Sequence, residues 1–383
     1  MSRRLVFCSL LAGCASAPAP QAPISGAAPV PYLASTARPT SPAAPAAHYA
    51  SQGASPLAPG PVVVFEGMCD ASGAIPLDAR RFAIADDEEN SIRVYDAERG
   101  GAPLAVLPIT GLEETNDEID LEAATMVGSY GLWLASHGRT KAGHFAESRV
   151  NMILSTAPSL EAPLHMVGSA YRNLLTALAT EPTLERFDLE RAASIAPQLE
   201  GGLNLEGLTA RTDGGVIIGF RSPVPDGLAL IVGLSNPIEV VRDGVAPKFD
   251  AVHQLDLGER RGIRGLSEWR GRTLIIGGSP AYTTVSRLYT WDGKSTQALP
   301  VEVDLTDYNP EAFFTPEERE EVMVISDDGT VDHGGTPCKY LRADAQKRFR
   351  GVWLTLPPAS PATPSSAPPP LSAAPASGAG NSR

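Results

Sequence analysis

Short apolar segments of four or five residues recur along the middle of the chain, with polar turns between them. Each of five such segments follows a five-residue motif, in which a polar third residue precedes Gly or Ala and then an apolar residue. The motifs are Asp70–Ala74, Asp120–Ala124, Asn204–Leu208, Gly262–Leu266 and Asn309–Phe313. Segments of this length between turns are typical of β-strands, so the pattern predicts a repeated, strand-rich unit.

The spacing of the motifs indicates the architecture. They lie 50, 84, 58 and 47 residues apart, and four-stranded units of about 40–50 residues are typical of propeller blades. We therefore predict an all-β, five-bladed β-propeller over residues 61–356. The segments Pro61–Phe65 and Val352–Thr355 are expected to share one blade and close the ring, because an open ring leaves sheet edges unpaired. A sixth, weakly marked blade and a two-sheet sandwich are the alternatives.

The 84-residue interval contains an insertion, residues 157–200, with a helical pattern. Tyr171, Leu174, Leu175 and Leu178 fall at helical spacing, and Pro182 ends that pattern before a second possible helix around Leu184–Ala193. The insertion joins the outer edge of the second blade to the inner start of the third, which places it at the channel mouth. It is interpreted either as a lid over a site or as a decoration that covers apolar surface.

The two ends of the chain differ from the middle in composition. Residues 14–60 and 357–383 are rich in Pro, Ala and Ser, and they are predicted to form a disordered tether and a disordered tail. Residues 61–356 hold 44 acidic and 27 basic residues, a net charge of −17. Such an acidic body does not attract a phosphate backbone, so nucleic acid is not expected as a partner.

A basic start, an apolar run at 5–12 and small residues after it make residues 1–13 a predicted signal peptide. The segment Leu11–Cys14 resembles the lipobox of bacterial lipoproteins. That resemblance implies cleavage before Cys14, lipidation of this cysteine and an acyl anchor in the lipid bilayer, with the outer membrane as the expected location. Ordinary cleavage after Ala17 is the alternative.

Seven short sequence motifs of the middle region, taken together, are characteristic. They are A-D-D-E-E-N (85–90), D-L-E-A-A (120–124), S-H-G-R-T-K (136–141), G-G-L-N-L-E-G-L (201–208), G-F-R-S-P (219–223), N-P-E-A-F (309–313) and S-D-D-G (326–329). Together they make residues 65–356 resemble a bacterial family known as domain of unknown function 3616. The resemblance implies a propeller-type fold, distantly similar to phytase-like esterase propellers, and it implies no activity and no catalytic residues.

Two rings of polar residues are expected at one mouth of the channel. In an up-and-down blade, the start of the innermost strand and the end of the next strand meet on one face. The first ring holds the third residue of each motif, namely Ser72, Glu122, Glu206, Arg264 and Glu311. The second ring holds Asp86, Asp87, His137, Arg139, Arg221, Ser279, Asp327 and Asp328.

These rings supply the candidate chemistry. Crowded carboxylates need a compensating cation, and the candidate ligands for Ca²⁺ or another divalent cation are Asp86, Asp87, Glu206, Glu311 and Asp327. The candidate catalytic residues are Glu122, His137 and Glu206, with His137 as a general base. The candidate ligand contacts are Ser72, Asp87, Arg139, Arg221, Arg264, Ser279 and Asp328.

Each of these assignments has a structural alternative. The carboxylates and arginines are also compatible with an ion-pair ring that holds the blades together. His137 is alternatively a hydrogen-bonded residue that orients a loop. The basic residues Arg139, Lys141 and Arg221 either bind an anionic group of a ligand or pair with Asp87 or Glu206.

Cys69 and Cys338 remain in the exported chain and meet an oxidising compartment. Ring closure makes the first and fifth blades neighbours, so both cysteines fall near the same face. A disulfide between them and a pair of buried thiols are both compatible with this placement.

The sequence as a whole predicts a cell-envelope lipoprotein that carries one acidic propeller. Its channel mouth is expected to bind a small ligand or a divalent cation, and a metal-assisted esterase or phosphoesterase is the enzyme class considered. The alternative is a non-catalytic scaffold displayed on the envelope, with an envelope protein as its partner.

Overall fold

The structure is a computed structural model that describes five stretches of the chain. They are residues 56–86, 88–110, 117–160, 163–280 and 285–356. The predicted signal peptide, Cys14, most of the predicted tether, Asp87 and the tail from residue 357 lie outside the described residues. Among the helices of the described part, none combines the length and apolar character that a membrane crossing requires.

The described part of the chain contains twenty strands and three α-helices. The strands are β1 (Val62–Glu66), β2 (Ala71–Pro76), β3 (Arg81–Asp86), β4 (Ser91–Asp96), β5 (Ala105–Thr110), β6 (Leu121–Val127), β7 (Tyr130–Ala135), β8 (Met152–Thr156), β9 (Leu164–His165), β10 (Asn204–Ala210), β11 (Val216–Ser222), β12 (Ala229–Leu234), β13 (Phe249–Leu255), β14 (Gly262–Trp269), β15 (Arg272–Gly278), β16 (Arg287–Trp291), β17 (Leu299–Val301), β18 (Pro310–Phe314), β19 (Glu321–Ser326) and β20 (Arg348–Thr355). The helices are α1 (Leu174–Thr180), α2 (Leu189–Ala193) and α3 (Pro237–Asp243).

The strands form the five blades of a propeller. From the inner to the outer strand, the blades are β2-β3-β4-β5, β6-β7-β8, β10-β11-β12-β13, β14-β15-β16-β17 and β18-β19-β20-β1, and the short β9 adds to the outer edge of the first blade. The inner strands β2, β6, β10, β14 and β18 each contact the next one around a closed circle. The predicted five-bladed, all-β propeller is therefore confirmed, and the six-bladed and sandwich alternatives are wrong.

Ring closure also follows the prediction. Strand β1 pairs antiparallel with β20, with Val62 opposite Val352, so the first and last strands share the fifth blade. The chain before β1 also contacts the propeller, since the Leu57 amide donates to the Glu302 carbonyl and the Gly60 amide donates to the Trp353 carbonyl. Both residues lie within the predicted tether.

The recurring motif has a structural cause in the inner strands. Each inner strand has a register shift at the motif, where two of its residues face one on the next strand. Such a bulge re-aims the side chain beside it. The fourth motif position is small because neighbouring inner strands approach closely there: a β-carbon on Gly265 would lie 2.7 Å from the Glu311 carbonyl oxygen of the next blade.

The insertion packs on the propeller through the helical face that the sequence predicts. Leu174, Leu178, Leu184 and Phe187 are buried in one apolar cluster with side chains of the second and third blades. The insertion therefore covers apolar surface where the second blade has only three strands.

A disulfide joins Cys69, which precedes β2 of the first blade, to Cys338, in the fifth blade after β19. The two residues are 269 positions apart in the chain. Together with the β1–β20 pairing, this bond closes the ring between the first and last blades.

We expect the double variant Cys69→Ser, Cys338→Ser to have a free energy of unfolding lower by about 2–5 kcal/mol, because the unfolded chain loses a long-range crosslink. Urea unfolding followed by circular dichroism measures this difference. A reductant should lower the midpoint of the native chain and leave that of the double variant unchanged. Equal midpoints for the two oxidised proteins would contradict the prediction.

Candidate functional site

Three glutamates from three blades meet at the propeller axis, and we call them the glutamate cluster. Glu122 lies on β6, Glu206 on β10 and Glu311 on β18. One carboxylate oxygen of each lies within 4.8 Å of the other two, and this is the group of possible metal ligands in the described part of the chain. Their exposed fractions are 7%, 1% and 7%. Three buried carboxylates this close could hold a metal ion.

Two arginines and a serine complete the cluster. Arg221 Nη1 lies 2.5 Å from Glu206 Oε1, and Arg264 Nε lies 3.5 Å from Glu206 Oε2. Arg264 also forms an ion pair with Glu311 through Nη2. Ser72 Oγ donates to Glu122 Oε2 over 3.1 Å. The third residues of all five motifs thus converge at one buried point.

The electrostatics of the cluster are unfavourable to further negative charge. Burial raises the pKa of Glu122 well above its usual range, and the charges of Glu206, Asp120 and Glu311 raise it further. Burial also raises the pKa of Glu311, against the opposing effect of Arg264. Two buried acceptor atoms, Glu206 Oε2 and Asn204 Oδ1, receive no hydrogen bond in the described part of the chain. Such atoms are normally satisfied, so they point to a missing donor or cation.

The cluster separates a large cavity from a small axial void. The void has about 10 Å³ and is lined by the glutamate cluster and by small or apolar residues of the inner strands, so it has room for about one water molecule. The cavity has about 640 Å³, the size range of small-molecule sites. Its lining includes Asp70, Glu88, Glu118, Asp120, Glu122, Lys141, Arg149, Asn204, Arg221, Asn309, Glu311, Asp327 and Lys339.

The cations of the cavity all pair with carboxylates of the same site. Lys339 Nζ and Lys141 Nζ lie 2.9 and 3.5 Å from the same oxygen of Glu88. Arg149 lies 2.7 Å from both Asp120 and Glu118. Arg221 pairs with Glu206. Each basic side chain of the lining therefore already has a carboxylate partner with which an incoming anion would have to compete.

The insertion contributes to the cavity as well as to the core. Pro197 and Gln198 line the cavity, and Gln198 Nε2 donates to the Lys141 carbonyl over 2.7 Å. The predicted position at the mouth is therefore found, and the segment combines the two alternatives, since it covers apolar surface and forms part of the cavity lining.

Several predicted site residues do not line the cavity. Asp86 accepts the backbone N–H groups of Glu88 and Glu89, and Asp328 pairs with Arg350 at 2.7 Å. Arg139 donates to the Ala193 carbonyl over 2.8 Å and so holds the insertion. Ser279 is buried. These side chains lie at a strand end or in loops after strands, where the alternation of a strand no longer fixes the direction of a side chain.

His137 is the clearest departure from the expected chemistry. Its ring is 2% exposed, and Nδ1 lies 2.7 Å from the Ala135 carbonyl oxygen. Burial lowers the pKa of His137 to about 4. A group with such a pKa is a weak base at neutral pH, and the ring does not line the cavity. The loop-orienting alternative fits this geometry better than the general base.

Many polar residues of the cavity were not among the predicted site residues, and four of them share one place in the repeat. They are the first residues of four motifs, Asp70, Asp120, Asn204 and Asn309. The signal was present in the sequence, because first and third positions of an extended segment share a face. The period of two would have identified them alongside the third residues.

This fold and this site define a closed five-bladed β-propeller with a buried acidic cluster at its axis. Residues 154–297 match the family model described as protein of unknown function (DUF3616). The resemblance to that family is therefore confirmed over this part of the chain. No curated protein matches the chain.

Solved structures with a similar fold include two bacterial proteins. The PQQ-bound aldose sugar dehydrogenase of Streptomyces coelicolor is 13% identical, with a TM-score of 0.40, and the match covers 79% of this chain and 99% of that one. The glutaminyl cyclase of Myxococcus xanthus is 9% identical, with a TM-score of 0.42, and the match covers 79% and 99%. Neither similarity bears on the ligand or the reaction of this chain.

We expect His137 to make the protein less stable as the pH falls from about 6.5 to about 4. The unfolded chain binds a proton at this residue below about pH 6.5, whereas the folded chain resists protonation until about pH 4. The loss at the acidic end is on the order of 3 kcal/mol. His137→Asn should remove this dependence, and Asn tolerates the left-handed backbone (φ 55°) found here.

Urea unfolding at pH 7, 5.5 and 4.5 measures the effect as the difference between native chain and variant. His144→Asn, at an exposed histidine, serves as the matched control and should follow the native chain. If the native chain and His137→Asn keep a constant difference across these pH values, the buried histidine is not the source of the pH dependence.

Proposed function

We propose that this protein binds a hard divalent cation, Ca²⁺ first, at the glutamate cluster, and a small ligand in the cavity that opens above it. The observation that carries this proposal is the group of three buried carboxylates whose oxygens lie within 4.8 Å of one another. Oxygen donors of this kind are the ligands that calcium and magnesium take in proteins.

Charge and hydrogen bonding support a cation at this point. The three carboxylates exceed the charge of the two arginines that contact them, so the ionised cluster keeps one negative charge. A bound cation would compensate that charge. It would also give a close ligand contact to Glu206 Oε2, which is buried, receives no hydrogen bond and has Arg264 Nε only at 3.5 Å.

An ion-pair ring without metal is the competing explanation, and the two differ at Glu122. In the ring, the protonated form of the Glu122 carboxyl is favoured, because burial and the neighbouring carboxylates raise its pKa. In the metal site, the cation replaces that proton and Glu122 is ionised. No catalytic step belongs to the proposal, because His137, the predicted base, does not line the cavity.

Glu122→Gln is the informative variant for the metal site. The amide oxygen still accepts from Ser72, so the apo protein should be at least as stable as the native chain. Glu206→Gln is less suitable, because removing one partner of a buried ion pair costs about 3–5 kcal/mol.

We expect Ca²⁺ at about 100 times its Kd to stabilise the chelated native protein by about 2.7 kcal/mol, a Tm shift on the order of 5 °C. Thermal melts with chelator and then with added Ca²⁺ measure it. Glu122→Gln should lose the shift, and the exposed Glu320→Gln should keep it. If neither Ca²⁺ nor Mg²⁺ changes the Tm of the native protein relative to the chelated sample, the proposed metal site is contradicted.

We also propose that the propeller is displayed in the cell envelope as a lipoprotein anchored at Cys14. The basic and apolar start of the sequence and the Leu11–Cys14 segment support this. The Cys69–Cys338 disulfide is consistent with an oxidising compartment.

Cys14→Ser should abolish incorporation of labelled fatty acid and should release the protein from the detergent phase in phase partitioning. Cys8→Ser is the matched control, because Cys8 lies inside the predicted signal peptide and should leave labelling intact. Labelling that persists in Cys14→Ser contradicts the anchor.

A further inference from the structure

A second pair of carboxylates faces the cavity away from the glutamate cluster. Asp70 and Asp327 both line the cavity. A β-carbon on Gly329 would meet Asp70 Oδ1 and would lie 3.1 Å from Asp327 Oδ1, so the two carboxyl groups flank this glycine. The two aspartates come from the first and fifth blades, which the disulfide joins one residue before Asp70.

Asp70 is a buried carboxyl whose one favourable charge interaction is with Lys339, which is itself paired with Glu88. It is 7% exposed, and within the described residues its carboxyl group makes no hydrogen bond and no ion pair. Asp327 accepts from Asn309 Nδ2 over 2.9 Å and from the Gly329 amide over 2.8 Å, and it has no ion pair in that part of the chain. Burial, followed by the charge of Asp327, raises the pKa of Asp70 to about 8. A cation between these groups would relieve both effects.

We propose that Asp70 and Asp327 form a subsite for the protonated amine of a small ligand. This inference deepens the function proposed above, and it rests on that proposal for the use of the same cavity by a small molecule. An ammonium group donates up to three hydrogen bonds and suits two facing carboxylates.

The composition of the cavity favours an amine over an anion. The four cationic side chains of the lining already pair with carboxylates, and the ammonium of Lys339, the nearest in sequence to the disulfide, lies 2.9 Å from Glu88. This pair is a poorer site for a second metal ion, because among the described residues only the glutamate cluster brings three possible metal ligands together. A metal ion prefers more oxygen ligands than this pair supplies.

A chain of hydrogen bonds links the amine subsite to the glutamate cluster. Asn309 donates to Asp327 through Nδ2 and accepts from Arg264 Nη1 over 2.7 Å through Oδ1. Arg264 in turn pairs with Glu311. Because Asn309 uses both ends of its amide, the subsite and the cluster are held in a fixed relation around the same cavity.

The test is a binding titration of the full chain in chelator at pH 8.5, followed by calorimetry. The probes are n-butylamine, with butanol and butyrate as neutral and anionic analogues of similar size, and tetramethylammonium as a cation without N–H donors. We expect n-butylamine to bind at least tenfold more tightly than the other three, since only it offers both charge and donors.

Asp70→Asn should weaken n-butylamine binding at least tenfold while the melting curve stays native-like, because Asp70 holds no hydrogen bond that folding needs. The exposed Asp307→Asn removes the same charge elsewhere and should bind like the native chain. Asp327→Asn provides a second variant and should weaken binding in the same direction.

The outcomes separate this subsite from the metal site. Loss of n-butylamine binding in Asp70→Asn, with the Ca²⁺ shift retained, supports the subsite on its own. Equal binding of n-butylamine and butyrate, no effect of Asp70→Asn, or no amine binding overturns it, whatever Ca²⁺ does. A second Ca²⁺ equivalent that Asp70→Asn removes also overturns it and assigns the pair to a metal.

Discussion

The closed ring of inner strands forces five side chains from distant parts of the chain into one buried place. Glu206 is 1% exposed and contacts two arginines from the third and fourth blades. A buried carboxylate of this kind requires compensation, because the transfer of an unpaired charge from water costs several kcal/mol. The third and fourth blades must therefore meet in the register that brings Arg264 to Glu206, which Arg221 of its own blade already contacts. The ion pairs favour one register between neighbouring blades, and the shape of the cavity next to the cluster depends on that register.

The cavity above the cluster has a charge pattern that closure explains. Each basic side chain of its lining pairs with an acid from the same region, as Arg149 does with Asp120 and Glu118. Acids outnumber bases in the lining by seven to four. The surplus acids include Asp70 and Glu122, whose pKa values rise through burial, so that a bound cation would favour their ionised form. A site of this composition attracts cations, and the net charge of the whole propeller acts in the same direction.

The sequence predicted the convergence of residues better than their roles. The third motif residues, Glu122, Glu206 and Glu311 among them, were expected at one mouth and lie within one cluster. The second ring was less accurate. His137 and Asp328 each lie just after a strand, as expected for this ring, yet their side chains make local contacts with Ala135 and Arg350. A loop after a strand has no fixed period, so the direction of a side chain there depends on backbone angles such as the φ of 55° at His137.

The period-two rule was applied too narrowly to the motifs. Asp70, Asp120, Asn204 and Asn309 stand two positions before the third residues and line the cavity. They were overlooked because the repeat was aligned on the third position alone. For the disulfide, the sequence predicted the location of the two cysteines but not their bonding state. The sequence brought Cys69 and Cys338 to one face through ring closure, and it left a disulfide and two thiols open, because bond formation depends on the separation of the two sulfurs.

By itself, the sequence determined the number of blades, the closing strand pair and the helical face of the insertion. These properties follow from local apolar periodicity and from the spacing of one motif, both of which are written along the chain. Only the tertiary structure decided which carboxylates are paired, which remain without a partner and where the cavity lies. Ion pairing and burial depend on distances between residues of different blades, and such distances exist only once the ring has closed.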